Sequence, residues 1–262
     1  MKYDRLFKRP VILVKLLLLA LLCPFADNAY AELTAKANHD HITIDSFYHG
    51  STVSIRGIAD PGTDLIIKLS SDDTHHVLRQ KGKVGGLLWM TVGELDVDHV
   101  PNVYEIHSTR NLSDMLARDE ADKYGLGYKA LENRAAMNVS GEDRAKWFGE
   151  FVKFKESSNL YSTSAGKISL ADHEGKQSYY ILTQWPYQAP PGNYTVTVYA
   201  VRNGRVVETA TDHVAVEQIG VVKTLATMAR NNAAVYGLLA IMSALAAGLG
   251  VGLVFRKQGG AH

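Results

Sequence analysis

The side chains in this sequence best suited to metal chemistry are its histidines, of which there are ten. His39 and His41 are two residues apart and point to the same side of an extended chain, and His49 follows eight residues later. Neutral imidazole is the usual ligand for zinc and copper. These three histidines are therefore a candidate metal or small-ligand site. We favour the alternative of a solvated segment with no bound cofactor, because no second close pair completes a tetrahedral set.

Sequence patterns typical of enzymes are absent. No G-x-S-x-G sequence marks a serine nucleophile, and the glycines of "GKVGGLLWM" lack the G-x-G-x-x-G order of a phosphate-binding loop. His75 and His76 are adjacent and would point to opposite faces of a strand, so we interpret "SDDTHH" as a polar hairpin turn. The sequence predicts a protein that is not an enzyme, and a hydrolase without a recognisable motif is the least favoured alternative.

The first 31 residues have the features of an export signal. Basic side chains precede an apolar run at residues 11–22, which is shorter than the roughly 20 residues that a membrane span needs. Ala29 and Ala31 are small residues of the kind that signal peptidase accepts, which predicts cleavage before Glu32. Cys23 is the only cysteine and would be lost with this segment, so we expect no disulfide or thiolate site in the mature chain.

The charge balance of the mature chain does not favour nucleic acid as a partner. Removing residues 1–31, which hold five basic and two acidic side chains, leaves 23 basic and 25 acidic residues. A net charge of −2 gives no reason to expect nucleic acid as a partner. About 200 residues lie between Glu32 and a second apolar run, enough for one large or two small domains.

That second run, at residues 233–255, contains no charged side chain. As a helix it would reach roughly 34 Å, enough to cross a bilayer with some tilt. Basic residues flank it on both sides, so the exported amino-terminal part decides the orientation. We predict a single-pass protein of the cytoplasmic (inner) membrane, with a periplasmic domain, a juxtamembrane helix over residues 217–232, and a cytoplasmic tail at residues 256–262.

Small residues recur at every fourth position of the predicted span. Four of them would stack along one helix face: Ala240, Ala244, Gly248 and Gly252. Such a face lets another helix approach closely, which predicts packing against a second copy of the chain or against a polytopic membrane protein. The alternative is that glycine and alanine are simply common in membrane helices.

Apolar and polar side chains alternate in much of the intervening region, as in residues 52–70 and 194–216. Turn sequences separate the segments: "DPGTD", "SSDD" and "QKGK" near the start, and Asn203-Gly204 near the end. The pattern predicts a mainly β protein, with an immunoglobulin-like β-sandwich over residues 32–216 and a helical insertion near residues 112–160. Whether this is one sandwich or two β units joined by a helical bridge stays open.

The clearest helix of the insertion begins after Ser140, an N-cap residue, with Asp143 near the N3 position. One side of this helix carries four aromatic side chains: Trp147, Phe148, Phe151 and Phe154. We expect that side to pack on the sandwich; the alternative is an exposed aromatic docking surface.

Several stretches of the sequence resemble a family of bacterial transmembrane proteins named for the alphaproteobacteria. The likeness covers most of the chain after residue 31 and is clearest in four places: "KVGGLLWMTVGELDVDHVPNVYEIHST" (residues 83–109), "FVKFKESSNLY", "APPGNYTV", and "VYGLL" through "VFRK". The resemblance implies an amino-terminal signal, a β-rich exported domain and one carboxy-terminal membrane anchor. It implies no known activity.

The resemblance also points to a surface and to a class of partner. Trp89, Pro101 and Tyr104 lie in its clearest stretch, and we expect them to form a recognition surface with Pro101 at a turn. Nearby, Gly85 and Gly86 are expected to allow a bulge or a tight strand crossing, with Trp89 buried beneath. The resemblance further implies that the protein is encoded beside a permease that looks like a sulfite or organosulfonate exporter, and therefore an accessory role at a transporter.

Two functional hypotheses follow. The favoured one is a non-enzymatic accessory or interaction protein, tethered by one helix, that acts with a polytopic membrane partner such as a permease. The alternative is a membrane-tethered metal or small-ligand binding module that uses His39, His41 and His49.

Overall fold

The computed structural model describes residues 32–45, 47–173 and 175–256. The predicted signal peptide (residues 1–31) and the tail beyond Arg256 lie outside the described residues, so both stay predictions.

The described residues form thirteen strands and six helices. The strands are β1 (Lys36–Ala37), β2 (His41–Ile44), β3 (Thr52–Ala59), β4 (Asp64–Ser71), β5 (Asp73–Val84), β6 (Leu88–Pro101), β7 (Tyr104–Ser108), β8 (Ala136–Met137), β9 (Tyr161–Ala165), β10 (Ser169–His173), β11 (Lys176–Gln184), β12 (Gly192–Arg202) and β13 (Arg205–Gln218). The helices are α1 (Leu112–Met115), α2 (Arg118–Tyr124), α3 (Tyr128–Arg134), α4 (Glu142–Ser157), α5 (Gly220–Asn231) and α6 (Ala233–Arg256).

Two large sheets enclose one hydrophobic core. The four-stranded sheet has the order β1-β3-β11-β10, and the six-stranded sheet has the order β2-β13-β12-β4-β7-β9. Ile55 and Ile181 of the first sheet belong to the same buried cluster as Ile67 and Val198 of the second. These findings, with the helices and the apolar α6, confirm the predicted mainly β class with a carboxy-terminal apolar helix.

The immunoglobulin-like subclass stays a prediction, which two observations support. The orders β1-β3-β11-β10 and β13-β12-β4 correspond to the A-B-E-D and G-F-C strand orders of such sandwiches. In addition, the Tyr194 hydroxyl near the start of β12 donates a hydrogen bond to the Pro190 carbonyl, four residues upstream. A tyrosine with this bond at the start of the penultimate strand is a feature of that architecture.

The turn predictions are correct at two places. Residues 60–63 join β3 to β4, with Gly62 at a φ of +71°. Asn203 and Gly204 join β12 to β13 with φ values of +53° and +79°, as a two-residue hairpin turn requires.

Two other turn predictions are wrong. Residues 80–83 lie inside β5, and the chain instead reverses at Gly85 and Gly86, whose φ values of +62° and +75° suit a type I′ hairpin turn. Gly82 has no positive φ and is covered by the Val92 side chain of β6. His75 and His76 lie within β5, which pairs with β6, so "SDDTHH" is not a hairpin turn either.

The four helices α1 to α4 and the short strand β8 lie between β7 and β9 in the chain. Helix α4 begins at Glu142 with Gly141 as its N-cap residue, whereas Ser140 was the predicted N-cap. Its buried face carries side chains at positions i, i+3, i+4 and i+7: Phe148, Phe151, Val152 and Lys155. Phe154 is exposed, so the predicted aromatic side was misplaced by part of a helical turn.

Candidate functional site

The antiparallel hairpin of β5 and β6 carries a cluster of exposed apolar side chains. Val84 pairs with Leu88 beside the glycine turn, and Lys83 pairs with Trp89. In the described structure, β6 has a second neighbour only where Val97 and Asp98 pair with β8. The outer half of the hairpin is therefore free of other strands.

Six apolar side chains are exposed at the end of this hairpin, which we call the hairpin tip: Val84, Leu87, Leu88, Trp89, Met90 and Val92. Trp89 has 67% of its surface exposed. Because residues that pair directly share a face and successive residues alternate, Val84, Leu88 and Met90 form an apolar stripe on one face. The opposite face carries Lys83 and Trp89.

The second face of the hairpin is cationic and polar. The Lys83 ammonium lies 5.5 Å from the centre of the Trp89 ring, a cation–π contact. Lys81 donates a hydrogen bond to the Thr91 hydroxyl at 2.9 Å. The tip thus presents one apolar face and one face where cations flank an aromatic ring.

The base of the same hairpin is enclosed by α4. Lys155 is only 4% exposed, and its ammonium donates hydrogen bonds to Asn102 Oδ1 (2.6 Å) and to the Asn102 carbonyl (3.3 Å). The same ammonium lies 5.6 Å from the Phe151 ring centre and 5.7 Å from that of Tyr161. Among the described residues, no carboxylate forms an ion pair with Lys155. Burial lowers the pKa of Lys155 to about 8.

His76 completes the base. Its ring centre is 5.5 Å from that of Phe151. Burial, and after it the charge of Lys155, lower the pKa of His76 to about 4, so the imidazole is neutral at physiological pH. The base of the hairpin is therefore held by packing and by the Lys155–Asn102 contacts.

A buried glutamate and histidine were missed by sequence reasoning. Glu105 Oε2 lies 3.4 Å from His107 Nε2, and His107 Nδ1 lies 2.6 Å from Ser164 Oγ. The Thr183 hydroxyl of the opposite sheet donates to Glu105 Oε2 at 3.2 Å. Glu105 and His107 are buried in the core, so this group of side chains links the sheets. The alternation in "YEIHS" was the available signal, because it places both residues on one face of β7.

The predicted histidine site is formed only in part. His39, His41 and His49 all line one open concavity of about 500 Å³. Within the described ranges, however, no group of three or more histidine, cysteine, aspartate or glutamate side chains is close enough to hold a metal ion. His41 Nε2 instead lies 3.9 Å from Glu217 Oε2.

The predicted recognition surface is not formed by its three residues together. Tyr104 is 2% exposed, and its hydroxyl donates to the Gly125 carbonyl and accepts from the Gly127 amide. Pro101 is also buried, and its carbonyl accepts a hydrogen bond from Tyr161. The expected burial of Trp89 is likewise wrong, because the two glycines form the turn of a free hairpin rather than a crossing over a core.

The carboxy-terminal helix α6 has the composition of a membrane span. Its segment Ala233–Leu253 has a mean hydropathy of 2.0 and is long enough to cross a membrane. The small residues of the predicted packing face are all exposed: Ala240, Ala244, Gly248 and Gly252. Apart from chain neighbours and the backbone of α6 itself, no described atom lies within 4 Å of a methyl group added at Gly248 or Gly252, so that face is open.

A family described as "Putative transmembrane protein (Alph_Pro_TM)" matches residues 32–257. No curated protein matches the chain with significance. The matched region contains the β domain, both carboxy-terminal helices and the hairpin tip.

Proposed function

The chain belongs to this transmembrane family, and from that premise we propose that it is a non-enzymatic accessory protein, anchored by α6, which recognises a polytopic membrane protein through its hairpin tip. The observation that carries the proposal is the exposure of six apolar side chains on a hairpin whose outer half pairs with no third strand in the described part of the chain. Solvent-exposed clusters of this kind mark interaction sites, and tryptophan and methionine are enriched at the centres of interfaces.

The expected setting is the periplasmic side of the cytoplasmic membrane. The basic and apolar leader in residues 1–31 supports export of the β domain, and export places the short segment after α6 in the cytoplasm. The resemblance to proteins encoded beside permeases of the sulfite-exporter type supports such a permease as the partner.

A second contact with the same partner is proposed within the membrane. Gly248 and Gly252 leave one face of α6 open to close approach by another helix. Two contacts on one partner would act together, because the first raises the effective concentration for the second. A weak hairpin contact would then suffice for stable association.

Affinity purification of the tagged full-length chain from native membranes in mild detergent tests this proposal. Leu88→Thr with Met90→Thr removes two of the three side chains of the apolar stripe and introduces a residue that strands favour. Leu182→Thr is the matched control, because Leu182 is also an exposed apolar strand residue but lies on strand β11 of the four-stranded sheet. We expect a polytopic permease to purify with the wild type and the control but not with the tip variant.

The opposite result would contradict the proposal. Recovery of the wild-type chain alone would remove the accessory role. Retention of the permease by the tip variant, combined with its loss in a Gly248→Leu and Gly252→Leu variant, would transfer recognition from the hairpin to α6.

A metal or small-ligand module is the second candidate, favoured by the concavity that His39, His41 and His49 share. Titration of the full-length chain with zinc or copper, compared with His39→Ala and His41→Ala, tests it. Binding that both substitutions abolish supports this function, and absence of binding to the wild-type chain excludes it.

A further inference from the structure

Helix α5 joins the β domain to the membrane span with almost no linker. It ends at Asn231, and α6 begins at Ala233. Hydrogen bonding continues through the junction, because the Asn232 amide donates to the Met228 carbonyl and the Tyr236 amide donates to the Asn232 carbonyl. With one residue between the helices, the end of α5 must lie where the chain enters the bilayer.

The other end of α5 is tied to the sandwich. The Ile219 amide, just before the helix, donates to the Ile44 carbonyl at the end of β2 at 2.9 Å. The parallel pairing of β2 with β13 ends at the same place, where Gln218 pairs with Ile44. Helix α5 is therefore a short connection between a folded domain and a membrane span.

Helix α5 has two unlike faces. Lys223, Thr227 and Arg230 lie on one face and line a groove of about 490 Å³ with Pro190, Pro191 and the end of β13. Val221, Leu225 and Met228 follow at positions i, i+4 and i+7 on the opposite face. Val221 is 64% exposed and Leu225 is 48% exposed. Val221 and Leu225 thus point away from the groove and are exposed, whereas Met228, nearer the junction with α6, is half-buried.

We propose that this apolar face lies in the interface of the lipid bilayer. An amphipathic helix with basic polar residues binds there with its apolar side chains about 5–10 Å into the boundary between headgroups and acyl chains. Leu225 is eight residues from the start of α6, or about 12 Å of helix, so a helix lying along the surface keeps the whole apolar face at that boundary. The sequence of α5 contains two basic side chains and no acidic one, which complements anionic headgroups.

The consequence is a fixed orientation of the β domain. A chain held by its span alone could turn freely about the junction. A helix embedded along the membrane surface instead keeps the same side of the β domain facing the membrane. This inference concerns lipid rather than the partner of the hairpin tip, and it holds whether or not such a partner exists.

Spin labels at single cysteines test the inference in the full-length chain. Cys23→Ser removes the only cysteine, after which Val221→Cys and Leu225→Cys place a nitroxide on the apolar face. Thr227→Cys is the matched control on the groove face. The labelled chains are reconstituted in vesicles of phosphatidylethanolamine and phosphatidylglycerol, and collision rates with oxygen and with a water-soluble nickel chelate are measured.

We expect the ratio of oxygen to nickel accessibility to be several-fold higher at residues 221 and 225 than at residue 227. Equal ratios at the three sites would overturn the inference, because α5 would then stand in water. Shielding of residue 225 from both reagents would overturn it as well, since the face would then be covered by protein. Neither result depends on recovery of a permease, so the test is independent of the proposed function.

Discussion

The two long hairpins of this protein share a local design and differ in their surroundings. β12–β13 and β5–β6 are both antiparallel, and both reverse at residues with positive φ. β12 also pairs with β4, and β13 also pairs with β2. The outer half of β5–β6 has no such neighbours among the described residues, and its apolar side chains are exposed.

The difference shows what strand patterning can and cannot specify. Alternation of side chains defines which residues share a face, but the rest of the fold decides whether that face is covered. In β12 the face is covered by the opposite sheet, so Val196 and Val198 stabilise the fold. At the hairpin tip it is uncovered, so its apolar residues contribute little to folding and are available for binding.

Core truncation should give the largest effect and the sharpest contrast. Ile67 of β4 pairs with Val198 of β12 and is fully buried. Ile67→Ala is expected to lower the free energy of unfolding by about 2–5 kcal/mol through lost burial and a cavity. Leu88→Ala at the hairpin tip is expected to stay within about 0.5 kcal/mol of the wild type. Urea unfolding of the full chain in detergent, followed by circular dichroism, measures both.

Equal losses for Ile67→Ala and Leu88→Ala would show that the two positions are equally buried in the folded chain. The hairpin tip would then be packed in the folded chain, and its exposure could not support a binding role.

Glycine substitution at the two turns should give the next largest contrast. Gly204 has a φ of +79°, and its carbonyl accepts a hydrogen bond from the Ala117 amide, which ties the turn to the helical insertion. Gly204→Ala is expected to lower global stability by about 1–2 kcal/mol, the cost of a left-handed conformation for a residue with a Cβ atom.

Gly86→Ala meets the same backbone requirement at a φ of +75° but in a free hairpin. Its strain should be released by local opening, so amide exchange near Val84 and Leu88 should accelerate while global stability changes little. A full loss of global stability for Gly86→Ala would contradict the view that this hairpin opens separately from the core.

How far the sequence predicts these regions depends on the range of the interactions involved. The Asn203-Gly204 turn, the strand alternation and the apolar span are local signals, and all three agree with the structure. The turn at Gly85 and Gly86 was misplaced because Gly82 offers a competing glycine. Lys155 shares a helix face with Phe151, four residues earlier, but was assigned to no buried face. Its ammonium is satisfied inside the fold by Asn102, which is 53 residues away in the sequence. Exposure of Trp89 is equally non-local, because the sequence of a strand does not show whether another strand or helix covers it.

The base of the free hairpin offers a test by pH. The pKa of Lys155 is lowered by burial from 10.5 to about 8, so between these values the unfolded chain binds more protons than the folded chain. The contribution of Lys155 to stability should therefore rise with pH through that window, by at most about 1.4 kcal/mol per pH unit. His76, with a pKa lowered to about 4, stays neutral throughout and adds no slope.

Urea unfolding at pH 8, 9 and 10 for the wild type and Lys155→Met isolates this contribution, because the other titrating groups, including Lys68 with its pKa also lowered to about 8, are common to both chains. We expect the unfolding free energy of the wild type minus that of Lys155→Met to increase as pH rises. Lys153→Met on the exposed face of α4 is the matched control and should show no such trend. A flat difference would mean that the hairpin base is hydrated, and the contrast between an enclosed base and a free tip would be lost.

The smallest effect is expected at the hairpin tip itself. Lys83 contributes a cation–π contact with Trp89 that is worth about 0.5–1 kcal/mol at an exposed site. Loss of this energy would raise the equilibrium constant for local opening of the hairpin about two- to fivefold. Lys83→Met should therefore accelerate amide exchange beside the glycine turn by the same factor. Global stability should not change, because the outer half of β5–β6 opens without the core. Lys167→Met, outside the hairpin, controls for loss of a surface charge. If Lys83→Met lowered global stability, the tip would be coupled to the sandwich, and the two hairpins would differ in degree rather than in kind.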